Sequence, residues 1–309
     1  MRAALLFGNR PRDMMLRDAL INGFTVCGVH VDDVKNAELN EIEIPDTDLA
    51  VFFGIRCHKL IREAEARGIP IMLIDKGYFN RNLYLRVSLG GYQPPYFDEL
   101  DYDSSRLTRT LRVTLAPRNH KSNKLVVYAG SSQKYCSYHG LGDATEYATK
   151  VCAELEVALQ GQKRIWYRPK PSWYKGYLKR ENKPPGSPEQ AQLDPLSDRL
   201  WKVLQNAHCL VTHGSNAAVE ALVHGVPVIM LSPPGVSPVR TLCETKIANV
   251  LDPYWPSDSD RVRVLSNLAW CQFTLEEIAS GFMWNTLKQW YGYKPKGVAN
   301  ASGIGSDQL

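Results

Sequence analysis

The sequence predicts an α/β protein made of two successive halves, each a parallel sheet flanked by helices. Three observations carry that expectation. Short apolar runs that end at glycine or aspartate alternate with stretches of helical period, the pattern of βαβ units and parallel sheets. The alternation breaks over residues 76–123 and restarts at Lys124. The chain has 309 residues, the length of about two domains at a usual ~100–200 residues each. Hydrophobic residues make up 44% and charged residues 22%, a balance that supports a real core and excludes a wholly disordered or fibrous chain.

In the first half, Ala3-Ala4-Leu5-Leu6-Phe7 reads as a strand ending at Gly8, residues 12–22 as a helix, and residues 24–30 as a second strand. Asp32 and Asp33 follow it and read as helix caps. Leu49-Ala50-Val51-Phe52-Phe53 forms a third strand that ends at Gly54. Residues 58–67 have helical period up to Gly68, and residues 69–74 form a fourth strand that ends at Asp75. Residues 76–123, rich in Tyr, Arg, Asn and Pro, read as functional loops and a connection. The second half repeats the scheme: a strand at 125–129, a helix at 145–159, a strand at 164–168, a polar and Pro-rich mobile loop at 172–194, a helix at 195–206, a strand at 209–212, a helix at 216–224 and a strand at 227–231. A last helix spans 274–290, and the Gly/Ser-rich tail from Lys294 reads as disordered.

The net charge of +5 conceals an uneven distribution. Residues 162–183 carry a net +7 and residues 104–124 a net +6, so the rest of the chain carries −8. Two basic segments on an acidic body fit a polyanionic partner, nucleic acid or phosphates; solvated surface is the alternative. The seven cysteines are odd in number, widely spaced and lack a C-x-x-C pair. They read as reduced thiols, with no disulfide framework and no metal cluster. No run approaches the ~20 apolar residues that span a bilayer, so no membrane partner is expected. The apolar start at 1–8 is cut short by Asn9-Arg10-Pro11-Arg12-Asp13, too early for a signal peptide, which predicts a cytoplasmic protein.

The most informative stretch is Val211-Thr212-His213-Gly214-Ser215-Asn216, a strand running through a small-residue turn into the helix Ala217-Ala218-Val219-Glu220-Ala221-Leu222, followed by Gly225-Val226-Pro227-Val228-Ile229. Gly214 permits close backbone approach, and Ser215 or Asn216 can cap the helix. Free N–H groups and the positive end of the helix dipole suit a phosphate. Glu220 lies one turn on, within reach of a ribose diol. An ordinary capped helix without a ligand is the alternative.

This run resembles the nucleotide-sugar motif in the C-terminal domain of GT-B glycosyltransferases. Arg168-Pro169-Lys170-Pro171 stands at the end of an earlier strand, where several GT-B families, bacterial Kdo and sialic acid transferases among them, carry a basic or His-Pro motif. Two cations there suit a donor diphosphate and its leaving group. Lys170 stands in place of the histidine, which argues against a CMP-sugar donor. Ala129-Gly130-Ser131-Ser132-Gln133-Lys134 through His139 to Asp143, and Lys76-Gly77-Tyr78-Phe79-Asn80-Arg81 with Tyr84-Leu85-Arg86, are similar to segments of GT-B-like glycosyltransferases of tailed bacteriophages. Those enzymes are thought to put sugars on hydroxymethylated pyrimidines of phage DNA.

The resemblance implies a GT-B fold, two Rossmann-like domains with a cleft between them. It implies an acceptor domain at 1–118, a nucleotide-sugar domain at 119–272, a C-terminal helix at 273–292 that packs back on the first domain, and a tail at 293–309. It further implies a UDP-sugar co-substrate, no bound cofactor or required metal, DNA as partner, and the host cytoplasm as location for a phage-encoded chain.

On that reading Gly130, Ser131, Ser132, Lys134, Arg168, Lys170, His213, Gly214, Ser215, Asn216 and Glu220 bind the donor. His139 and Asp143 are candidate general bases, since histidine titrates near neutrality. Asp75 is the rival base, because a carboxylate at the carboxyl end of a parallel strand points into the cleft. Tyr78, Arg81 and Arg86, with Trp173, Lys175, Lys179 and Arg180, interleave aromatic and basic groups, as contacts to extruded bases and phosphates would require. The alternative is a loop packed on its own aromatics. Two rival functions remain open: transfer to a capsule- or lipopolysaccharide-type glycan, and a catalytically inactive module that only binds DNA.

Overall fold

The computed structural model describes residues 1–8, 10–34, 42–119, 125–170 and 200–292. The expected α/β class is what the chain adopts: two sheets, both built on parallel strands. In the first, β1 (Arg2–Leu6), β2 (His30–Val34), β3 (Leu49–Phe53) and β4 (Ile71–Lys76) run parallel in the order β2-β1-β3-β4. β3 is buried at every position, as expected of a strand covered on both faces. In the second, β6 (Leu125–Ala129), β7 (Arg164–Arg168), β8 (Ala207–Thr212) and β9 (Val228–Met230) repeat that order as β7-β6-β8-β9. Helices connect the strands: α1 (Pro11–Val26), α2 (His58–Ala66), α3 (Gln133–Tyr138), α4 (Ala144–Leu159), α5 (Leu200–Leu204) and α6 (Ala217–Val223).

Several expected boundaries move, each for a physical reason. Residues 24–26 belong to α1 rather than to the second strand. Leu16, Leu20, Gly23 and Phe24 form one buried helical face, and nothing stops the helix before Gly28, whose φ is +72°. β2 therefore starts at His30, and Asp32 and Asp33 lie within it instead of capping a helix. Asp33 pairs with the buried Arg17 at 2.9 Å. Residues 76–119 send many of their aromatic and apolar side chains inward, with Tyr78, Phe79, Tyr84, Tyr96, Phe97, Leu107 and Leu111 all buried. They contain an unforeseen strand, β5 (Leu85–Leu89), antiparallel to β4. The mobile loop expected at 172–194, the start of the helix expected at 195–206 and the tail expected from Lys294 lie outside the described residues. All seven cysteines are free and five are buried.

After β9 the chain forms α7 (Asp258–Trp270), then returns to the first sheet as β10 (Gln272–Phe273), antiparallel to β5. The expected single helix at 274–290 is broken into α8 (Leu275–Ala279) and α9 (Phe282–Leu287), because Gly281 takes φ +79° between them. These helices pack on α1: Trp284 meets Phe24 edge-on at 5.4 Å, and a Cβ on Gly23 would overlap the Ile278 carbonyl.

Arg106 fastens this return. It is 5% exposed, donates to the carbonyls of Ala269 and Gln272 at 2.9 and 2.7 Å, and forks onto the Glu277 carboxylate at 2.8 and 2.6 Å. A residue of the basic segment 104–124 is thus a structural clamp and is lost to any polyanionic partner. Truncating one partner of such a buried, bidentate pair strands the other. Arg106→Ala should lower unfolding free energy by about 3 kcal/mol, whereas Arg263→Ala, which breaks an exposed pair with Asp260, should change it by less than about 1 kcal/mol. Urea melts of the two variants against wild type check both values.

Candidate active-site cleft

The carboxyl ends of both parallel sheets line one cleft. Each strand order reverses direction between its first and third strands, the switch point where α/β sheets open a crevice for ligands. In the second sheet that point lies between β6 and β8, where the Thr212 hydroxyl donates to the Ala129 carbonyl at 3.0 Å. The cleft, of about 220 Å³, gathers Gly130, Ser131, Ser132, Arg168, Lys170, Gly214, Ser215, Asn216 and Glu220 from the second half, and Asp75, Arg81 and Arg86 from the first. A chamber of about 530 Å³ continues from it along the strand ends of the first sheet.

The glycines of the two turns answer to neighbouring tyrosines. A Cβ on Gly130 would stand 2.7 Å from the Tyr167 ring, and one on Gly214 2.5 Å from the Tyr135 hydroxyl. Gly214 also has φ +135°, which side-chain-bearing residues rarely adopt. Two of the turn amides expected to cradle phosphate are engaged within the protein. Gly130 N–H donates to the Arg168 carbonyl at 3.0 Å, and Ser215 N–H to the Thr212 hydroxyl at 3.2 Å. At the start of α6, a helix of seven residues, Ala217 N–H donates to the Ser215 hydroxyl at 3.2 Å and Ala218 N–H to the Ser215 carbonyl at 3.0 Å. Side-chain cations stand beside these turns.

Those cations are Arg168, Lys170, Arg81 and Arg86. Burial lowers the Lys170 pKa against the pull of Asp75, and Arg81 and Arg86 lower it further. Burial raises the Glu220 carboxyl, opposed by Arg81, Arg168 and His224. Asp75 sits on the floor. Burial pushes its pKa up, but Arg86, the Lys76 N–H, Lys170 and Arg81 together hold it below the ordinary carboxylate value. Arg86 lies opposite Asp75 in the β4–β5 register, 3.6 Å away.

Of the three bases named from sequence, the cleft contains Asp75 alone. His139 ends α3 and is enclosed by rings: Tyr135 at 4.2 Å, Tyr138 at 4.9 Å and Tyr92 at 5.3 Å between centroids. Burial, with the nearby His213 and Arg62, lowers it to about 4, and it does not line the cleft. Asp143 caps α4 and accepts the N–H groups of Thr145 and Glu146 at 2.8 and 3.1 Å. His213 turns from the cleft into the same aromatic cluster, 5.6 Å from Tyr147 and 5.8 Å from Tyr135. Lys134 lines the chamber and not the cleft.

The aromatic–basic pattern read as a nucleic-acid contact is mostly interior. Tyr78 is buried and donates to the Gln93 side chain at 2.6 Å. Arg86 is buried against the faces of Tyr92 at 4.6 Å and Tyr78 at 5.5 Å. Arg81 is exposed and lines the cleft. Trp173, Lys175, Lys179 and Arg180 lie outside the described residues. Tyr92, expected from sequence among the base-contacting aromatics, lines the cleft. Tyr135 in the cleft and Arg10, Arg12 and Arg56 in the chamber were given no site role by sequence. The three arginines follow the carboxyl ends of β1 and β3, the rule that picked out Asp75 after β4.

Among the described residues no cluster of three or more His, Cys, Asp or Glu is placed to hold a metal. No helix among them is long and apolar enough to cross a membrane. No family model and no curated protein matches the chain. Among solved structures, it is similar to the beta Kdo 2,7 transferase of Thermosulfurimonas dismutans KpsC at 15% identity and TM-score 0.43, over 93% of this chain and 100% of that one. The beta Kdo 2,4 transferase of the same KpsC gives 14% and 0.41, over 85% and 97%. The UDP-GlcNAc 2-epimerase of Methanocaldococcus jannaschii gives 10% and 0.30, over 87% and 100%. Likeness at these values assigns no activity and no residue.

Gly214→Ala should disturb the cleft through Tyr135, and Tyr135→Phe, which removes the opposing hydroxyl, should recover part of the lost melting temperature; thermal melts of the single and double variants decide. His139 and His213 both fall to about 4 by burial, below the ~6.5 of an unfolded chain. The unfolded state thus takes up more protons, and stability is lost as pH falls from about 6.5 towards 4. Urea midpoints at about pH 7 and pH 5 should show that loss, and it should be smaller in His139→Phe.

Proposed function

We propose that this chain is a glycosyltransferase that moves a sugar from a nucleoside-diphosphate sugar, a UDP-sugar first among them, to an acceptor hydroxyl. The observation that carries this reading is the set of groups gathered at the switch point. Arg168 and Lys170 face the cleft from one wall beside Glu220, and Asp75 faces it from the other half. A diphosphate leaving group needs cations where its charge develops. Arg168 and Lys170 supply them, and the burial-raised carboxyl of Glu220 accepts hydrogen bonds from the ribose diol. Asp75, kept ionised by Arg86, takes the proton of the acceptor hydroxyl as its oxygen bonds to the anomeric carbon and the bond to the diphosphate breaks. The likeness of fold to sugar-transferring and sugar-nucleotide enzymes agrees with this reading without deciding it.

The finer acceptor, a 5-hydroxymethylpyrimidine in DNA, keeps the support of Arg81 and of the basic segment outside the described residues. Tyr78 and Arg86 contribute nothing to it from the interior. Their burial favours a second reading, transfer to a glycan, which needs no wall of stacking aromatics. Labelled sugar passing from UDP-glucose to hydroxymethylated DNA supports the first acceptor, and transfer to a glycan alone supports the second. DNA binding that survives Glu220→Ala and Lys170→Ala, with no turnover of any donor, leaves an inactive binding module. Asp75→Asn should reduce kcat by about 10²–10⁴-fold while UDP still binds, and Glu220→Ala should weaken UDP binding about tenfold. Equal loss of UDP affinity in both variants would remove Asp75 from the role of base.

A further inference from the structure

We infer that the chamber beside Asp75 is an anion subsite, which holds a phosphate or carboxylate of the acceptor next to the hydroxyl that receives the sugar. This rests on the glycosyltransferase reading for the word acceptor, and on the chamber's own construction for the anion. Seven basic side chains line the chamber against one carboxylate, Asp75.

Two of these cations are held in place. Asp13, 0% exposed at the first turn of α1, accepts from Arg56 with both oxygens at 3.1 and 3.0 Å and lies 3.5 Å from Arg12 Nε. Both guanidiniums also lie over the Phe53 ring, Arg12 at 4.7 Å and Arg56 at 5.9 Å from its centroid. Carboxylate and ring together fix two planar cations side by side, the arrangement that recognises phosphate or carboxylate at low entropic cost. Lys134 joins them from the first turn of α3, across the chamber. The chamber walls partly desolvate its ammonium and lower it to about 8; Asp75 raises it, and Arg56 and Lys170 lower it again.

Position separates this subsite from the donor phosphates. Arg168 lines the cleft and not the chamber, Arg12 and Arg56 line the chamber and not the cleft, and Asp75 and Lys170 stand where the two meet. An anion on the Arg12 side therefore lies across Asp75 from the leaving group, on the side from which the hydroxyl must come.

The test is calorimetric titration of inorganic phosphate, up to about 10 mM, into wild type, Lys134→Gln, Arg12→Gln and Arg168→Gln. Lys134 is exposed and Arg12 half-exposed, so both substitutions leave the core untouched, and unchanged thermal melts confirm it. Binding should weaken about tenfold in Lys134→Gln and Arg12→Gln and persist in Arg168→Gln. Binding lost in Arg168→Gln and unchanged in the other two would place the anion with the donor and overturn the inference, as would no binding to wild type. Where transfer is measurable, Lys134→Gln should raise KM for an anionic acceptor and leave KM for the UDP-sugar alone. Phosphate binding that follows Lys134 without any glycosyl transfer would sink the glycosyltransferase reading and keep the subsite. Transfer with phosphate binding indifferent to Lys134 would do the reverse.

Discussion

The cleft depends on the pairing of Asp75 with Arg86. A guanidinium that is 5% exposed must be neutralised and stacked or it destabilises the fold. The antiparallel addition of β5 to β4 meets that need. It sets Arg86 opposite Asp75 in register, with Tyr92 and Tyr78 on its faces. The same pairing keeps Asp75 ionised at the floor of the cleft and aligns Tyr92 as part of its wall. Without β5, Asp75 would keep the Lys76 N–H, Lys170 and Arg81 but lose the guanidinium that, after burial, acts on it most strongly.

The second half contributes a complementary constraint. Its turns are locked by the Thr212 hydroxyl, the Ser215 hydroxyl and the close approach of Tyr135 and Tyr167 to Gly214 and Gly130. Those bonds fix the shape of the turns, and Arg168, Lys170, Arg81 and Arg86 bring positive charge to the cleft between them. Asn216 donates to the Gly77 carbonyl at 3.4 Å, which ties this rigid turn to the first half beside β4. Arg106 and the return of β10 tie the halves a second time at the far edge of the sheet.

Much of the architecture was legible from pattern alone. β1, β3, β4, β6, β7 and β8 are apolar runs ended by turn residues, and their spacing set the parallel order. β5 was overlooked although Leu85-Arg86-Val87-Ser88-Leu89 alternates apolar and polar residues as a strand does; what the pattern hides is that Arg86 and Ser88 are buried as well. The extension of α1 through Phe24 was missed because Phe24, Thr25 and Val26 favour strands locally, while packing on α8 and α9 favoured the helix. The break at Gly281 was visible as a glycine but not as a bend, because only contact with Cys27 and α1 requires it.

The site divides along the same line. The sequence by itself determined which residues stand at the mouth of the cleft, because βα alternation places Asp75, Gly130, Arg168, Lys170 and Gly214 at carboxyl ends of parallel strands. Tertiary structure decided what each group can do. It turned His213 and His139 into a cluster of rings, assigned Asp143 to a helix cap, buried Tyr78 and Arg86, and moved Lys134 from the cleft to the chamber. The physical reason is that strand periodicity fixes where a residue sits along the chain, whereas its charge state and partners depend on burial and on groups far away in sequence. Asp75 shows both: its place at the end of β4 follows from the sequence, and its ionisation follows from Arg86, Lys170 and Arg81, brought to it only by the fold.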